Sequence, residues 1–405
     1  MAQEERVLIA GGGPIGTVTG LRLAQYGIPV TVFDRLVEPA TDHRAATLQP
    51  STLDLFEELG LTGEILRQGL PSPIFQWRDR VTDEVVAEFD YGVLAQESKH
   101  PYVIQLEQHR TVYIALAAAA KIPEFTLVRP AEVIEVRQDA DFVEALVRRE
   151  DGSIDLHRGR YLIGCDGGRS IVRRSIGVSF EGFTWPERFS IIAVPFDFEA
   201  AMGFRSRSYC AHPDRWVALI KVPGEDSRGL WRCLFPTKPE ENDEELMSDD
   251  WIQARLAECL PVGAPYQIVH RNTYAINQRV AGGFRAGRIM LAGDAAHVNN
   301  PVGGMGMNSG FQDGLNLAAK LAQIWQRAEP DPLLDRYDRQ RRLTAVEYVQ
   351  AQSIANKRML EERDLEKRRH NIDNLRRVAE DPKQHYEFVR RASLIAMLRS
   401  ADGIA

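Results

Sequence analysis

The sequence predicts an α/β protein in three parts: a Rossmann-like parallel-sheet domain assembled from discontinuous segments, a β-sheet domain beside it, and a helical C-terminal region. Three observations predict it. Short, wholly apolar runs lead straight into glycine-rich turns at three distant places. A stretch between the second and third turns reads as successive strands separated by turn residues. Beyond Pro330 the pattern is helical to the end.

The first run is Val7, Leu8 and Ile9, a short buried strand followed by Gly11-Gly12-Gly13-Pro14-Ile15-Gly16. A helix then begins at Pro14, whose missing N–H does no harm in a first turn. Ile15, Val18, Leu21, Leu23 and Ala24 form its apolar face, and Gly27 is placed to end it. Residues 29–33 give a second apolar strand, with Asp34 at its end. This is the setting a G-x-G-x-x-G motif needs. Gly11 permits the tight turn, Gly13 lets a pyrophosphate approach the backbone, and Gly16 lets the helix pack close to the sheet. The free amides of the helix N-terminus attract the phosphates, and Asp34 is placed to accept hydrogen bonds from a ribose diol. A glycine turn with no ligand is the plainer alternative. The loop alone does not separate FAD from NAD.

The second run, 160–165, leads into Asp166-Gly167-Gly168-Arg169-Ser170 and a short helix. Asp166 could orient polar groups around a pyrophosphate or simply cap that helix. The third run, 288–292, leads into Gly293-Asp294-Ala295-Ala296-His297, where Asp294 could bind ribityl hydroxyls. Pro301-Val302-Gly303-Gly304-Met305-Gly306 follows as a rigid loop that lets backbone approach a planar ring. A long helix begins at Met307, with Phe311, Leu315, Ala318, Leu321, Ala322 and Trp325 on one face. Its N-terminus would stabilise negative charge on a reduced flavin. Together the three signatures point to FAD.

Between them, 189–196, 204–211, 216–222 and 230–235 read as strands, with turns at His212-Pro213-Asp214 and Pro223-Gly224-Glu225-Asp226. With 74–78 and 85–89 they would form one sheet over the flavin, leaving a pocket between two domains. The expected division is 1–71, 98–180 and 268–330 for the FAD-binding domain, 72–97 and 181–267 for the β-rich domain, and 331–405 for the helical region. In that last region Asp364 and Arg368, and Asp373 and Arg377, stand at i,i+4 spacing, which suggests a solvated helix packed on the body.

Composition narrows the function. The net charge of -7 argues against nucleic-acid binding. No apolar stretch is long enough to span a bilayer, and no basic segment leading into an apolar run marks a secretory signal. Cys165, Cys210, Cys233 and Cys259 are scattered, without metal-ligand spacing. Reduced thiols in a cytoplasm, with no membrane partner and no metal, are the expectation.

Residues 7–34, 160–177 and 288–321 resemble the single-component, FAD-dependent aromatic hydroxylases, the p-hydroxybenzoate hydroxylase-like flavoprotein monooxygenases. Gly293 to His297 and the loop through Gly303-Gly304-Met305-Gly306-Met307-Asn308 are most similar to the phenol and hydroxyphenylpropionate hydroxylase branch, without its C-terminal thioredoxin-like domain. The resemblance implies that Gly11, Gly13, Gly16, Asp34, Arg44, Gln105, Asp166, Asp294 and Gly304 to Asn308 (Gly304, Met305, Gly306, Met307, Asn308) bind the cofactor. Pro301 would line the reacting face, with Asn300 before it.

The implied activity is hydroxylation of a small electron-rich aromatic, phenolic or heteroaromatic. The implied reagents are O2 and transiently bound NADPH or NADH, and the route is a flavin C4a-hydroperoxide. The chemistry is the cofactor's, while the protein orients the ring and excludes water. A base or acceptor near a phenolic substrate is expected, with Tyr209, His212, Trp216 and Arg232 as candidates. Structural roles are the alternative for each: core for Trp216, strand surface for Arg232, turn for His212. His297 reads as packing beside the FAD, and His43 is a remote candidate. Three other functions stay open: a non-hydroxylating reductase on the same fold, a flavin-binding regulatory or interaction protein, and a pure NAD dehydrogenase, which would be colourless. The Trp-x-Trp-x-Ile-Pro run of halogenases does not occur. Assembly is left open, a homodimer being one form.

Overall fold

A computed structural model describes residues 5–41, 45–327 and 329–405, with only the backbone of Asp331. Its centre is a six-stranded sheet. The spatial order is Arg285–Ala286, Ile289–Leu291, Tyr161–Gly164, Val7–Ala10, Val30–Phe33, Phe125–Val128. All neighbours are parallel except the first pair. The four residues of Val7–Ala10 are buried, as are the four of Val30–Phe33, because both faces of the sheet are covered: Ile9 faces the helix Pro14–Gln25, and Leu8, on the opposite face, meets Gly159 of a small antiparallel sheet.

The strand order brings the three signatures together. Ile289–Leu291, Tyr161–Gly164 and Val7–Ala10 are adjacent and point the same way. Their glycine turns therefore emerge side by side at the carboxyl edge of the sheet, where ligands of open α/β sheets bind. The helix Pro14–Gln25 has Pro14 in its first turn, and Gly27 follows its end with φ +75°.

An eight-stranded sheet forms the second layer. Its order is His297–Val298, His270–Ala281, Phe180–Val194, Leu230–Pro236, Val217–Val222, Arg207–Ala211, Ile74–Asp79, Glu84–Asp90. The strands expected from alternation and turn signals fall within it, and so do the two early strands. Phe180–Val194 is longer than its sequence suggests and pairs with His270–Ala281 along most of its length. That partner strand was expected with the FAD-binding segments, but its hydrogen bonds join it to this sheet. A three-stranded sheet of Ala131–Gln138, Val143–Arg149 and Ile154–Gly159 was not anticipated.

The C-terminal region is helical as expected: Pro330–Thr344, a π-helical segment Ala345–Gln350, Ala351–Leu360, Leu365–Glu380, Pro382–Ala392 and Ile395–Asp402. The expected i,i+4 ion pairs do not form. Asp364 instead caps its helix by accepting from the Lys367 amide (2.9 Å). Arg368 turns inward to a buried ion pair with Asp79 on the eight-stranded sheet. Arg377 bonds Asn374, and Asp373 faces Arg376. Tertiary contact outcompetes the local pairs because a pair removed from water is stronger than one on the surface. Leu375, Val389 and Ile395 join one apolar cluster with Phe75, Phe89 and Tyr209. The helices thus form a wall of the interior and not only a solvated exterior.

Candidate active site

The turn after Val7–Ala10 is made of backbone held in an unusual shape. Gly11 has φ +100°, and a Cβ there would lie 2.4 Å from the Cys165 carbonyl oxygen. A Cβ on Gly16 would lie 1.9 Å from the Gly11 carbonyl oxygen, whereas nothing lies within 4 Å of one on Gly13. Two glycines are therefore required by contact, and the third opens onto free space. Gly13 is the N-cap of Pro14–Gln25, and no side chain caps it, so the first amides are left for an anion. Asp34 braces this turn: its oxygens accept from the amides of Gly12 (2.7 Å) and Leu36 (2.8 Å). Each carboxylate oxygen keeps a lone pair for a ribose hydroxyl.

Asp166 does cap its helix. Oδ2 accepts from the amides of Ile171 (2.7 Å) and Val172 (3.1 Å). Oδ1 is buried with no hydrogen-bond partner in the chain, and burial raises this carboxyl above its ordinary range. Asp294 stands exposed on the short turn Gly293–Ala295. Arg44 and His43 lie outside the described residues.

The loop Pro301 to Met305 and the helix Gly306–Trp325 close the site. Gly303 and Gly304 have φ +111° and +64°. No side chain caps the helix, so the amides of Gly306, Met307 and Asn308 carry its partial positive charge. The Asn308 side chain is fully committed to protein. It accepts from the Gln49 amide (2.9 Å) and the Thr52 hydroxyl (2.7 Å), and it donates to the carbonyls of Thr47 (2.8 Å) and Gly304 (2.7 Å). It therefore positions the loop, and only its backbone is available to a cofactor. Gln105 is buried and accepts from Thr47 Oγ1 (2.9 Å), while its Nε2 has no partner.

Asn300 is likewise turned inward. Its backbone N and its Nδ2 both donate to Gln278 Oε1 (3.1 Å each), and its Oδ1 accepts from the Val302 amide (3.1 Å). This corrects its expected place on the reacting face: a buried amide must satisfy its polar atoms, and protein does so here. Gln278 in turn donates to Gln350 (2.6 Å) and Ser353 (3.0 Å), tying the loop to the π-helical segment and the helix after it. Pro301 stays half-buried beside them.

Tyr209 reaches the loop from the eight-stranded sheet, its hydroxyl accepting from the Gly303 amide (2.6 Å). His212 does not serve the loop. Its Nδ1 accepts from the amides of Asp214 and Arg215 (3.1 Å each), and burial lowers its basicity. The hairpin uses this imidazole as its own turn acceptor. Trp216 is core, edge-on to Phe189 (ring centroids 5.1 Å). Arg232, expected on a strand surface, is buried.

Sequence reading missed a second tier of residues. Buried Asp313 accepts from Arg341 Nε (2.7 Å) and from the Gly293 amide (3.1 Å), and it pairs with His297 Nε2 (2.9 Å). His297 therefore belongs to an ion-pair network and not merely to packing. Burial raises the Asp313 carboxyl, but Arg341 and His297 outweigh it and hold it below its ordinary range. Arg207, Tyr91 and Gln278 were missed as well. For Asp313 the available signal was a carboxylate two residues after Phe311, next to the apolar face of the long helix.

The residues present fit FAD. Nothing crowds Gly13 at an uncapped helix N-terminus, and buried Gln105 Nε2 and Asp166 Oδ1 lack partners within the chain. A second uncapped helix end stands across the carboxyl edge of the same sheet. The FAD binding domain family matches residues 4–352. Para-nitrophenol 4-monooxygenase of Pseudomonas sp. (strain WBC-3) is 32% identical, over 88% of each chain. 6-Hydroxy-3-succinoylpyridine 3-monooxygenase HspB of Pseudomonas putida (strain DSM 28022 / S16) is 29% identical, over 94% of this chain and 95% of that one. The crystal structure of p-nitrophenol 4-monooxygenase PnpA from Pseudomonas putida DLL-E4 superposes with a TM-score of 0.91 at 28% identity, covering 98% of both chains. The cradle, its discontinuous construction and these likenesses lead to one conclusion: the chain belongs to the FAD binding domain family of single-component, FAD-dependent aromatic monooxygenases.

Proposed function

We propose that the protein hydroxylates a small phenolic or hydroxylated heteroaromatic ring, using O2 and a transiently bound NADH or NADPH. One observation carries the reading. The loop that would face the flavin ring is held from above by Tyr209, which packs with Phe75, Trp77 and Phe89 of the eight-stranded sheet and with Tyr91 of the turn after it. An aromatic cluster against a glycine-rich backbone suits a flat substrate. The relatives support the class, since one is named for a nitrophenol and another for a hydroxypyridine.

FAD, when bound, supplies two-electron redox chemistry and oxygen activation. In this proposal Gly11, Gly13 and Gly16 shape the pyrophosphate turn, and Asp34 accepts from the adenosine ribose. Asp166 and Asp294 serve the pyrophosphate and ribityl region, and Arg44 the phosphates. Gln105 Nε2 donates to the ring system. The amides of Gly306, Met307 and Asn308 stabilise negative charge on the reduced ring. Gly304 and Met305 let backbone approach it, Pro301 lines its reacting face, and Tyr209 meets the substrate hydroxyl. The FAD part comprises 1–71, 98–180 and 268–330, with strand His270–Ala281 counted with the sheet it pairs into. No helix among the described residues is long and apolar enough to cross a membrane, and the four cysteines are free. Both fit a cytoplasmic enzyme.

The test is a screen of phenols, aminophenols and hydroxypyridines for stimulated NAD(P)H consumption by the yellow holoprotein, with product mass read alongside. A substrate that gains one oxygen atom supports the proposal. Consumption without any oxygenated product across the screen favours a reductase and overturns it.

A further inference from the structure

A cavity of about 140 Å³ opens on one face of the six-stranded sheet, lined by Arg6, Thr31, Thr126, Val128, His157 and Arg158. Its construction follows from the register. Leu8, Thr31 and Thr126 are partners across three adjacent parallel strands, so they share a face. The three-stranded sheet covers that face at Leu8, where Gly159 packs, and its His157 leans over the next strand, edge-on to Phe33 (ring centroids 4.8 Å). Val30–Phe33 and Phe125–Val128 each carry a single polar residue, and both of these threonines line the opening. Arg6 directly precedes Val7–Ala10, and the threonines are the second residues of their strands. The cavity therefore lies on the sheet face, away from the glycine turns at the carboxyl edge.

The lining is cationic and includes no carboxylate among the described residues. Arg6 spends one N–H on Thr31 Oγ1 (2.9 Å), while its Nε is buried without a partner. Among the described residues no carboxylate lies within ion-pair distance of Arg6. His157 Nε2 is likewise buried and unpartnered. Burial, and then the charges of Arg149 and Arg6, lower the basicity of this imidazole, with Asp155 opposing them. Arg158 brings a second guanidinium, tied to Glu144 (2.8 Å), and Arg149 is tied to Asp155 (2.7 Å). Thr31 and Thr126 each keep a hydroxyl proton to donate. Buried polar groups ordinarily find partners, and those left over call for an ion or a water. What these donors lack is an acceptor that carries negative charge.

We propose that the cavity binds a small oxyanion of the phosphate or sulfate class, held by Arg6, Thr31, Thr126 and His157, with exposed Arg158 at its rim. A volume with room for several waters takes one such ion, and a guanidinium grips its oxygens with charge-assisted hydrogen bonds. The ion joins two layers, because Arg6 and the threonines belong with the six-stranded sheet and His157 and Arg158 with the three-stranded one. It cross-ties them at a point remote from the glycine turns, and the inference is independent of the hydroxylase reading.

The experiment is calorimetric titration of the FAD-loaded protein with inorganic phosphate and with sulfate, in a chloride buffer of fixed ionic strength. With FAD bound, the glycine cradle is filled and does not take the titrant. A single saturable site is expected, with a rise in melting temperature of about 2–4 °C at saturating phosphate. Arg6→Met should weaken binding by about 10- to 100-fold with flavin content unchanged. Thr126→Val, at an exposed position, should weaken it by about three- to tenfold, and it decides the matter where Arg6→Met fails to fold. Adenosine 5′-monophosphate separates two sources of the same chemistry. Competition with phosphate assigns the phosphate end of a larger ester, and its exclusion assigns the free ion; either result supports the site. Absence of saturable binding by the wild type overturns the proposal and leaves the cavity to water. Undiminished binding in the folded variants overturns it as well. None of these results bears on the hydroxylase reading, which stands or falls on the substrate screen.

Discussion

The glycine cradle and the aromatic cluster around Tyr209 are built from different materials. The cradle is mostly backbone: a glycine held at φ +100°, two uncapped helix ends, and amides braced by Asp34. The cluster is side chains: Arg207, Tyr209, Tyr91 and a set of packed rings. Backbone shape leaves few residue choices, so glycine, proline and aspartate stand at fixed spacings. Side-chain packing allows many solutions. The difference teaches where a sequence can be read for chemistry and where only an assembled fold can.

Substitutions sharpen the contrast, beginning with the largest effect. Gly11→Val places side-chain atoms where a Cβ already meets the Cys165 carbonyl at 2.4 Å, at a φ that β-branched residues avoid. Complete loss of bound flavin is expected, read as the ratio of flavin to protein absorbance after desalting. A yellow variant would break the claim that the cradle is backbone-limited.

Asp313→Ala leaves Arg341 buried without its carboxylate. A loss of about 3–5 kcal/mol is expected in denaturant unfolding. The wild type should show the same dependence on pH. A carboxyl held below its unfolded value of about 4 contributes fully above that value, and the contribution is lost as pH falls through the lower folded one. Acid unfolding should therefore be shallower in the variant.

Tyr209→Phe removes the acceptor of the Gly303 amide. A fall in kcat of about tenfold or more, ~1.4 kcal/mol, is expected with flavin content unchanged. Parallel loss of flavin would erase the division between cradle and aromatic cluster. The smallest change is Asp364→Ala, which removes an exposed helix cap. About 1 kcal/mol of stability should go, with flavin content and turnover preserved.

Much of the cradle was legible. Gly11, Gly13 and Gly16 could be assigned separate duties because strand, turn and helix each carry a sequence signal. Less was legible where one residue had two physical outlets. Asn308 and Asn300 sit in the motif stretch, but their side chains satisfy protein groups, a fact set by residues 47–52 and by Gln278. Arg368 was spaced for a local partner and found a buried one, because Asp79 approaches through folding alone. Arg207 carried no motif; it meets Tyr91 and Gly303 only in the folded chain, and no local window of sequence displays that.

The knot made by Asn308, which stitches residues 47–52 to the start of a helix some 250 positions later in the chain, has a consequence for biosynthesis. No early fragment owns a finished pocket, and contacts so distant along the polypeptide form slowly. Yellow colour in a preparation should accordingly certify a chain extended through Gly306–Trp325: translation arrested ahead of that helix would leave a product that, however well its first half had folded, stays pale.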